Sequence, residues 1–325
     1  MLRSVERGLG AAASLEVGRD DGGLADVRSW PLNRLIPGGV MSPCAARHGW
    51  CNRSVMLHSH RLHWVLRVGV ASEFIGHGLA GLSRPAAWIP YFGLFGFSEG
   101  VAHDHLMYIV GGLDVVLGVL VLVRPMRAVL LHMFFWGLLT AALRPLTDES
   151  FFELVERGAN YGMPLAFFLL ARPGTWSPRS WFERIRPGPL DDRLTRQLAW
   201  VMRASIALLL IGHGGLGIWA HKKEWFDFFD FFGINQATVT SAHLSQFVGW
   251  FEIGLGLAVL LRPVRSLLVF VLAWKVGTEL LRPLVGQPNY QFIERGGDYA
   301  LPIALLMLMG GLAIVGRTAR TGRTD

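Results

Sequence analysis

Apolar residues run along this chain in eight long blocks, near 64–83, 105–123, 128–144, 158–172, 199–220, 246–261, 266–282 and 297–315. The blocks are apolar on all sides, not on one stripe. That pattern predicts helices in contact with lipid, not the one-faced helices of a soluble core. A bilayer core of about 30 Å takes roughly 20 helical residues, and several blocks fall short of that, so their boundaries are coarse.

The second half of the pattern repeats the first. Residues 105–171 align without a gap on 243–309, and 25 of the 67 positions are identical. Upstream, at a slightly shorter offset, Arg67 and Gly76-His77-Gly78 pair with Arg203 and Gly212-His213-Gly214. Four spans per half is an even number, so both halves enter the membrane in the same direction, and a parallel repeat follows. The expected fold is an all-α membrane protein of eight transmembrane helices, arranged as two pseudo-symmetric four-helix bundles.

The flanking segments complete the organisation. Residues 1–57 are rich in Gly, Ala and Arg, lack a signal-peptide core, and are expected to be a disordered extension; Met56, just before the first span, is a candidate start. The first repeat covers 58–172 and the second 198–316. Between them, 173–197 reads as a Pro-, Gly- and Arg-rich linker, and 317–325 is a basic tail.

Composition agrees with a membrane protein: 52% hydrophobic and 17% charged residues, with mean hydropathy +0.38. The net charge of +7 does not point to nucleic acid, because the arginines sit mostly between apolar blocks. With the N-terminus inside, 13 Lys/Arg fall on inner connections. Seven fall on outer ones, counting Arg144 and Arg282, beside ten acids. The positive-inside rule then places both termini in the cytoplasm of a multi-pass inner-membrane protein. Cys44 and Cys51 have neither C-x-x-C spacing nor a zinc-finger His partner.

The candidate chemistry lies in repeated polar residues inside apolar blocks, where an unhoused charge costs several kcal/mol. His77 and His213 fall about two-thirds of the way across the first helix of each half. His105 and His243 stand at the outer entrance of the second helix. Asp114 and Glu252 lie nine residues further in, about 13 Å along a helix and near mid-membrane. Arg144 and Arg282 end the third helix in the string Leu-Arg-Pro-Leu; Glu156-Arg157 and Glu294-Arg295 open the fourth, followed by Tyr161 and Tyr299. Two equivalent polar pockets, open outward, are the economical arrangement.

Each residue has a plainer role. Arg67 and Arg203 can snorkel to headgroups. Arg124, Arg127, Arg262 and Arg265 suit topology anchors. Arg144 and Arg282 can cap helix carbonyls, and the Gly-flanked histidines can be packing residues. The halves also differ: Glu73 has Leu209 as its counterpart, while Lys275 and Glu279 replace Gly137 and Ala141. The aromatic loops 88–97 and 225–232 suit an interfacial belt, or a lid for a flat lipid-soluble ligand such as a quinone. There is no P-loop, dinucleotide fingerprint or H-E-x-x-H, no metal site is assigned, and no cofactor motif is visible.

The stretch Arg67 to Gly78, then Gly-Gly-Leu-Asp-Val-Val-Leu-Gly and Arg-Pro-Met-Arg, recurs as Arg203 to Gly214, Gly-Trp-Phe-Glu-Ile-Gly-Leu-Gly and Arg-Pro-Val-Arg. On these residues each half resembles the DoxX-like family of four-helix membrane proteins. The chain departs by lacking the Lys often found after the first helix's Gly, and by fusing two copies. The resemblance implies a link to membrane redox processes, including thiosulfate:quinone oxidoreductase subunits and oxidative-stress complexes. The expected function is then a quinone-linked redox subunit. Asp114 and Glu252 would accept protons, His77, His213, His105 and His243 would bind the ligand or pass protons outward, and Arg144 and Arg282 would hold an anionic end. A partner protein would supply electrons. The alternatives are a small-molecule transporter or exporter, and a membrane assembly factor without catalysis.

Overall fold

A computed structural model of the chain describes residues 48–171, 177–220, 223–234 and 241–321. These residues form helices and no strand, with one isolated bridge between Met126 and Arg184. The long helices are α1 (His48–Leu82), α2 (Met107–Val123), α3 (Arg127–Leu143), the short α4 (Phe151–Glu156) and α5 (Gly158–Leu170). They are followed by α6 (Asp192–Gly215), α7 (Ser241–Leu261), α8 (Arg265–Leu284), the short α9 (Asn289–Glu294) and α10 (Gly296–Thr321). Each apolar block therefore carries a helix. The extension expected over 1–57 lies outside the described residues as far as 47, and its last stretch is drawn into α1.

Four of these helices are long and apolar enough to cross a membrane: Glu99–Val123, Arg127–Thr147, Asp192–Ala220 and Ala242–Leu261. In three of them only 33%, 28% and 28% of the apolar window is buried, against 72% in the helix built on α6. Apolar side chains such as Val116, Val123, Phe135, Phe247 and Leu261 thus face outward. A water-soluble protein rarely exposes that much contiguous apolar surface. The chain is a multi-pass membrane protein in this coarse sense. Two of the remaining blocks yield no such helix for visible reasons: α5 has only 13 residues, and α8 carries Lys275, Glu279 and Arg282.

The inner layer is α1, α5, α6 and α10, whose Leu66, Val70, Phe167, Met202, Ile206 and Leu305 form the core. The two halves do not pack as separate bundles. Helix α5 lies more extensively on α6 than on α1, and α10 more on α1 than on α6. The fourth helix of each half is therefore lodged against the first helix of the other.

Local sequence explains this interleaving. The fourth segment of each half is broken at Glu-Arg: α4 ends at Glu156 before α5 starts at Gly158, and α9 ends at Glu294 before α10 starts at Gly296. Each break fits against a glycine of the opposite half. A Cβ on Gly76 would collide with the Glu294 backbone, and one on Gly212 with the Glu156 backbone. The second glycine of each motif serves its own half: Gly78 lies against Gly111 on α2, and Gly214 against Gly249 on α7. The Gly-His-Gly string is thus a double crossing point, with the histidine between two close backbone approaches.

Arginines close the helix ends. Arg67 donates through Nε to the Val121 carbonyl at 3.1 Å and through Nη2 to that of Val123 at 2.9 Å; Arg203 donates to the Leu261 carbonyl at 3.0 Å. These carbonyls end α2 and α7, where Pro125 and Pro263 stop the helix and leave acceptors unpaired. Arg67 and Arg203 are caps, not side chains reaching to headgroups. Arg127 is buried and donates to the carbonyls of Ala171 and Ser180, so it ties α3 to the connection after α5 instead of anchoring topology.

Candidate functional site

In the first half, α1 and α2 bring together a histidine and a carboxylate. His77 Nδ1 is 2.8 Å from Asp114 Oδ2, and Asp114 has no exposed surface. The imidazole stacks on Trp88, with ring centroids 4.7 Å apart. A cavity of about 240 Å³ opens beside it, walled by Trp88, Tyr91, Phe92, Phe95 and Trp136, with Glu73 and Arg144 also on the lining.

The second half repeats the arrangement position for position, with Glu252 in place of Asp114. His213 Nδ1 is 2.5 Å from Glu252 Oε2, and His213 packs on Trp225 at 4.6 Å. The cavity here is about 450 Å³, walled by Trp225, Phe228, Phe229, Phe232 and Trp274, with Glu279 and Arg282 on the lining. Both aromatic loops are therefore pocket walls. Tyr91 and Phe228 hold matching places, under Arg144 at 5.6 Å and Arg282 at 5.9 Å. The Tyr91 hydroxyl donates to Glu149 Oε1. Burial holds this phenol above the ordinary tyrosine range, and the bond to Glu149 adds to the effect against the opposing charge of Arg144.

Between the pockets lies a charged vestibule of about 380 Å³, lined by Arg144, Glu156, Arg157, Arg282, Glu294 and Arg295. Its ion pairs cross between the halves: Arg295 Nη1 to Glu156 Oε1 at 3.1 Å and Arg157 Nη1 to Glu294 Oε1 at 3.9 Å. Around it, Arg144 pairs with Glu149 at 3.0 Å and Arg282 with Glu279 at 2.6 Å. The second half alone adds a buried Lys275, 2.9 Å from Glu279 and 3.4 Å from Asp298. Charges removed from water are tolerated when each has such a partner.

The structure joins His77 with Asp114 and His213 with Glu252, and puts Arg144 and Arg282 on the pocket linings. Other expected site residues lie elsewhere. His105 and His243 are exposed and line neither pocket. Tyr161 and Tyr299 donate to the carbonyls of Leu154 and Phe292 at 3.4 and 3.3 Å, bridging the helix breaks, and they line neither aromatic pocket. Their repetition goes with the repeated break. The tryptophans were missed as site residues. Trp136 and Trp274 are identical across the repeat, which is the signal that would have found them. Asp298 was missed because its counterpart is the neutral Asn160. Among the described residues, no group of three or more His, Cys, Asp or Glu is placed to hold a metal ion.

No family model, curated protein or solved structure matches the chain.

Proposed function

We propose that this chain is an inner-membrane protein of eight spans, a parallel tandem repeat of two DoxX-like halves with both termini in the cytoplasm, acting as a quinone-linked redox subunit. One observation carries the functional reading. In each half, a histidine bonded to a buried carboxylate heads an aromatic-walled pocket. Flat aromatic walls suit a ring headgroup, and the apolar outer surface suits a ligand that arrives through lipid.

The chemistry assigned to the chain is proton handling. A hydroquinone that becomes a quinone gives up two electrons and two protons. The electrons pass to a partner protein. His77 or His213 accepts one proton from a ring hydroxyl while Asp114 or Glu252 orients the imidazole and balances the imidazolium, and the other hydroxyl gives its proton to water. Arg144 and Arg282, held in ion pairs, keep positive charge at the lining. This reading predicts that detergent-purified protein retains a quinone in solvent extracts, and that Asp114→Asn with Glu252→Gln removes it. An extract of the folded wild type without quinone overturns the reading.

The vestibule supports a second reading, transport of a small polar molecule between the halves. Proteoliposomes separate the two. Gradient-driven flux of a small polar solute without any redox partner speaks for transport and against the quinone site.

A further inference from the structure

The two pockets differ in whether their polar atoms already have partners. In the second, Glu252 Oε2 meets His213, and Oε1 accepts from Trp274 Nε1 at 2.8 Å. Glu279 is engaged on both oxygens, Oε1 by Lys275 and Oε2 by Arg282. In the first, Asp114 is one methylene shorter than Glu252. It keeps its bond to His77, but the counterpart of the tryptophan bond is missing. Asp114 Oδ1 and Trp136 Nε1 are both buried with no hydrogen-bond partner among the described residues. Glu73 stands where the second half has Leu209. It is 2% exposed, lines the first cavity, and its Oε2 also has no partner.

Buried polar atoms without partners are costly, about 1–3 kcal/mol each, and are rare in native proteins unless water or a ligand completes them. On the lining of the first pocket, Trp136 and Glu73 leave one donor and one carboxyl oxygen to be completed under an aromatic wall, and Asp114 Oδ1 stays open behind His77. A hydroxyl on a ring both donates and accepts, so it serves the indole N–H and a carboxyl oxygen. A carbonyl only accepts, and an ether cannot donate.

Resting on the quinone reading above, we propose that ligand occupies only the first pocket, as a hydroxylated aromatic ring of the hydroquinone type recognised by Glu73 and Trp136, whose indole N–H stays free because Asp114 is too short to reach it. The second pocket is its self-satisfied counterpart, in which Glu252 has taken the place of the ligand at the tryptophan.

The test is calorimetric titration of the full chain in lipid nanodiscs with three probes: decylubiquinol kept reduced, decylubiquinone, and the dimethyl ether of decylubiquinol. The expected result is one equivalent of decylubiquinol, bound at least tenfold more tightly than either of the others. Asp114→Glu, which lets the carboxylate reach Trp136, and Glu73→Leu, which copies the second half, each weaken binding about tenfold. Thr140→Trp fills the first cavity and abolishes binding, whereas Thr278→Trp fills the second and leaves the affinity within twofold. Thermal unfolding of each variant establishes that it is folded. Two equivalents bound, or loss with Thr278→Trp and not with Thr140→Trp, overturns the one-pocket assignment and keeps the quinone reading. Preference for the ether or the oxidised form overturns the hydroxyl assignment. No binding of any probe to the folded wild type overturns the quinone reading itself.

Discussion

The pocket of the first half and the pocket of the second are built on the same positions, yet one is finished and the other is not. Glu252 spans from His213 to Trp274, while Asp114 stops at His77. Around the second, Lys275, Glu279 and Asp298 join Arg282 in a buried charge network; around the first, Arg144 keeps its charge, but the counterparts of the other three, Gly137, Ala141 and Asn160, carry none. One methylene and a few charge-for-neutral replacements separate a pocket whose polar atoms pair with one another from one that leaves some of them open. Retained residue types mark the positions the two pockets share, and the residues that differ decide which polar atoms remain without partners.

The largest expected break in this comparison is Lys275→Met. It leaves Glu279 and Asp298 without their shared buried cation, and breaking such a pair costs about 3–5 kcal/mol. Chemical unfolding in detergent reads the loss. The same methionine at Gly137 removes no ion pair, so the two halves are expected to respond differently.

Next comes Gly212→Val, which drives a side chain into the Glu156 backbone and costs at least about 1–3 kcal/mol. Gly76→Val meets the Glu294 backbone in the same way and should cost a similar amount. Equal losses support the reciprocal lodging of one half in the other; a loss confined to one glycine contradicts it.

A smaller effect sharpens the pocket difference. Trp274→Phe leaves Glu252 Oε1 unpaired and is expected to destabilise by about 1–3 kcal/mol. Trp136→Phe removes a donor that has no partner among the described residues, and is expected to be neutral or slightly stabilising in protein free of ligand. Equal losses at both sites would erase the distinction.

The smallest concerns Tyr91. Its phenol is raised above the usual value of about 10. The folded state thus favours the protonated form. The associated stability is complete below the unfolded value and fades as pH rises from there toward the folded one. Ultraviolet difference spectra at pH 11 should show one fewer ionisation-resistant tyrosine after Tyr91→Phe than in wild type.

Much of the fold was legible because apolar blocks and broken periodicity are local signals. Each block carries a helix, and the equivalence of His77–Asp114 with His213–Glu252 follows from residue types at matched positions. What was not legible is which helix meets which. The exchange of the fourth helices depends on the break at Glu-Arg entering a gap made by a glycine more than 50 residues away. Gly76 and Gly212 declare a close approach but not the partner. The same limit hid the role of Arg67, since the carbonyls it caps become free only where Pro125 ends α2. The bonds of Tyr161 and Tyr299 across the helix breaks were not legible for a related reason: a residue repeated to hold a helix break looks, in sequence, like one repeated to hold a ligand.

The most direct test is a cryo-EM map of the full chain in nanodiscs with decylubiquinol present. The account predicts ring density in the first pocket, within hydrogen-bonding distance of Trp136 Nε1 and Glu73, with the Glu252–Trp274 bond intact and the second pocket free of ligand. Ring density in the second pocket alone, with that bond broken, would contradict it.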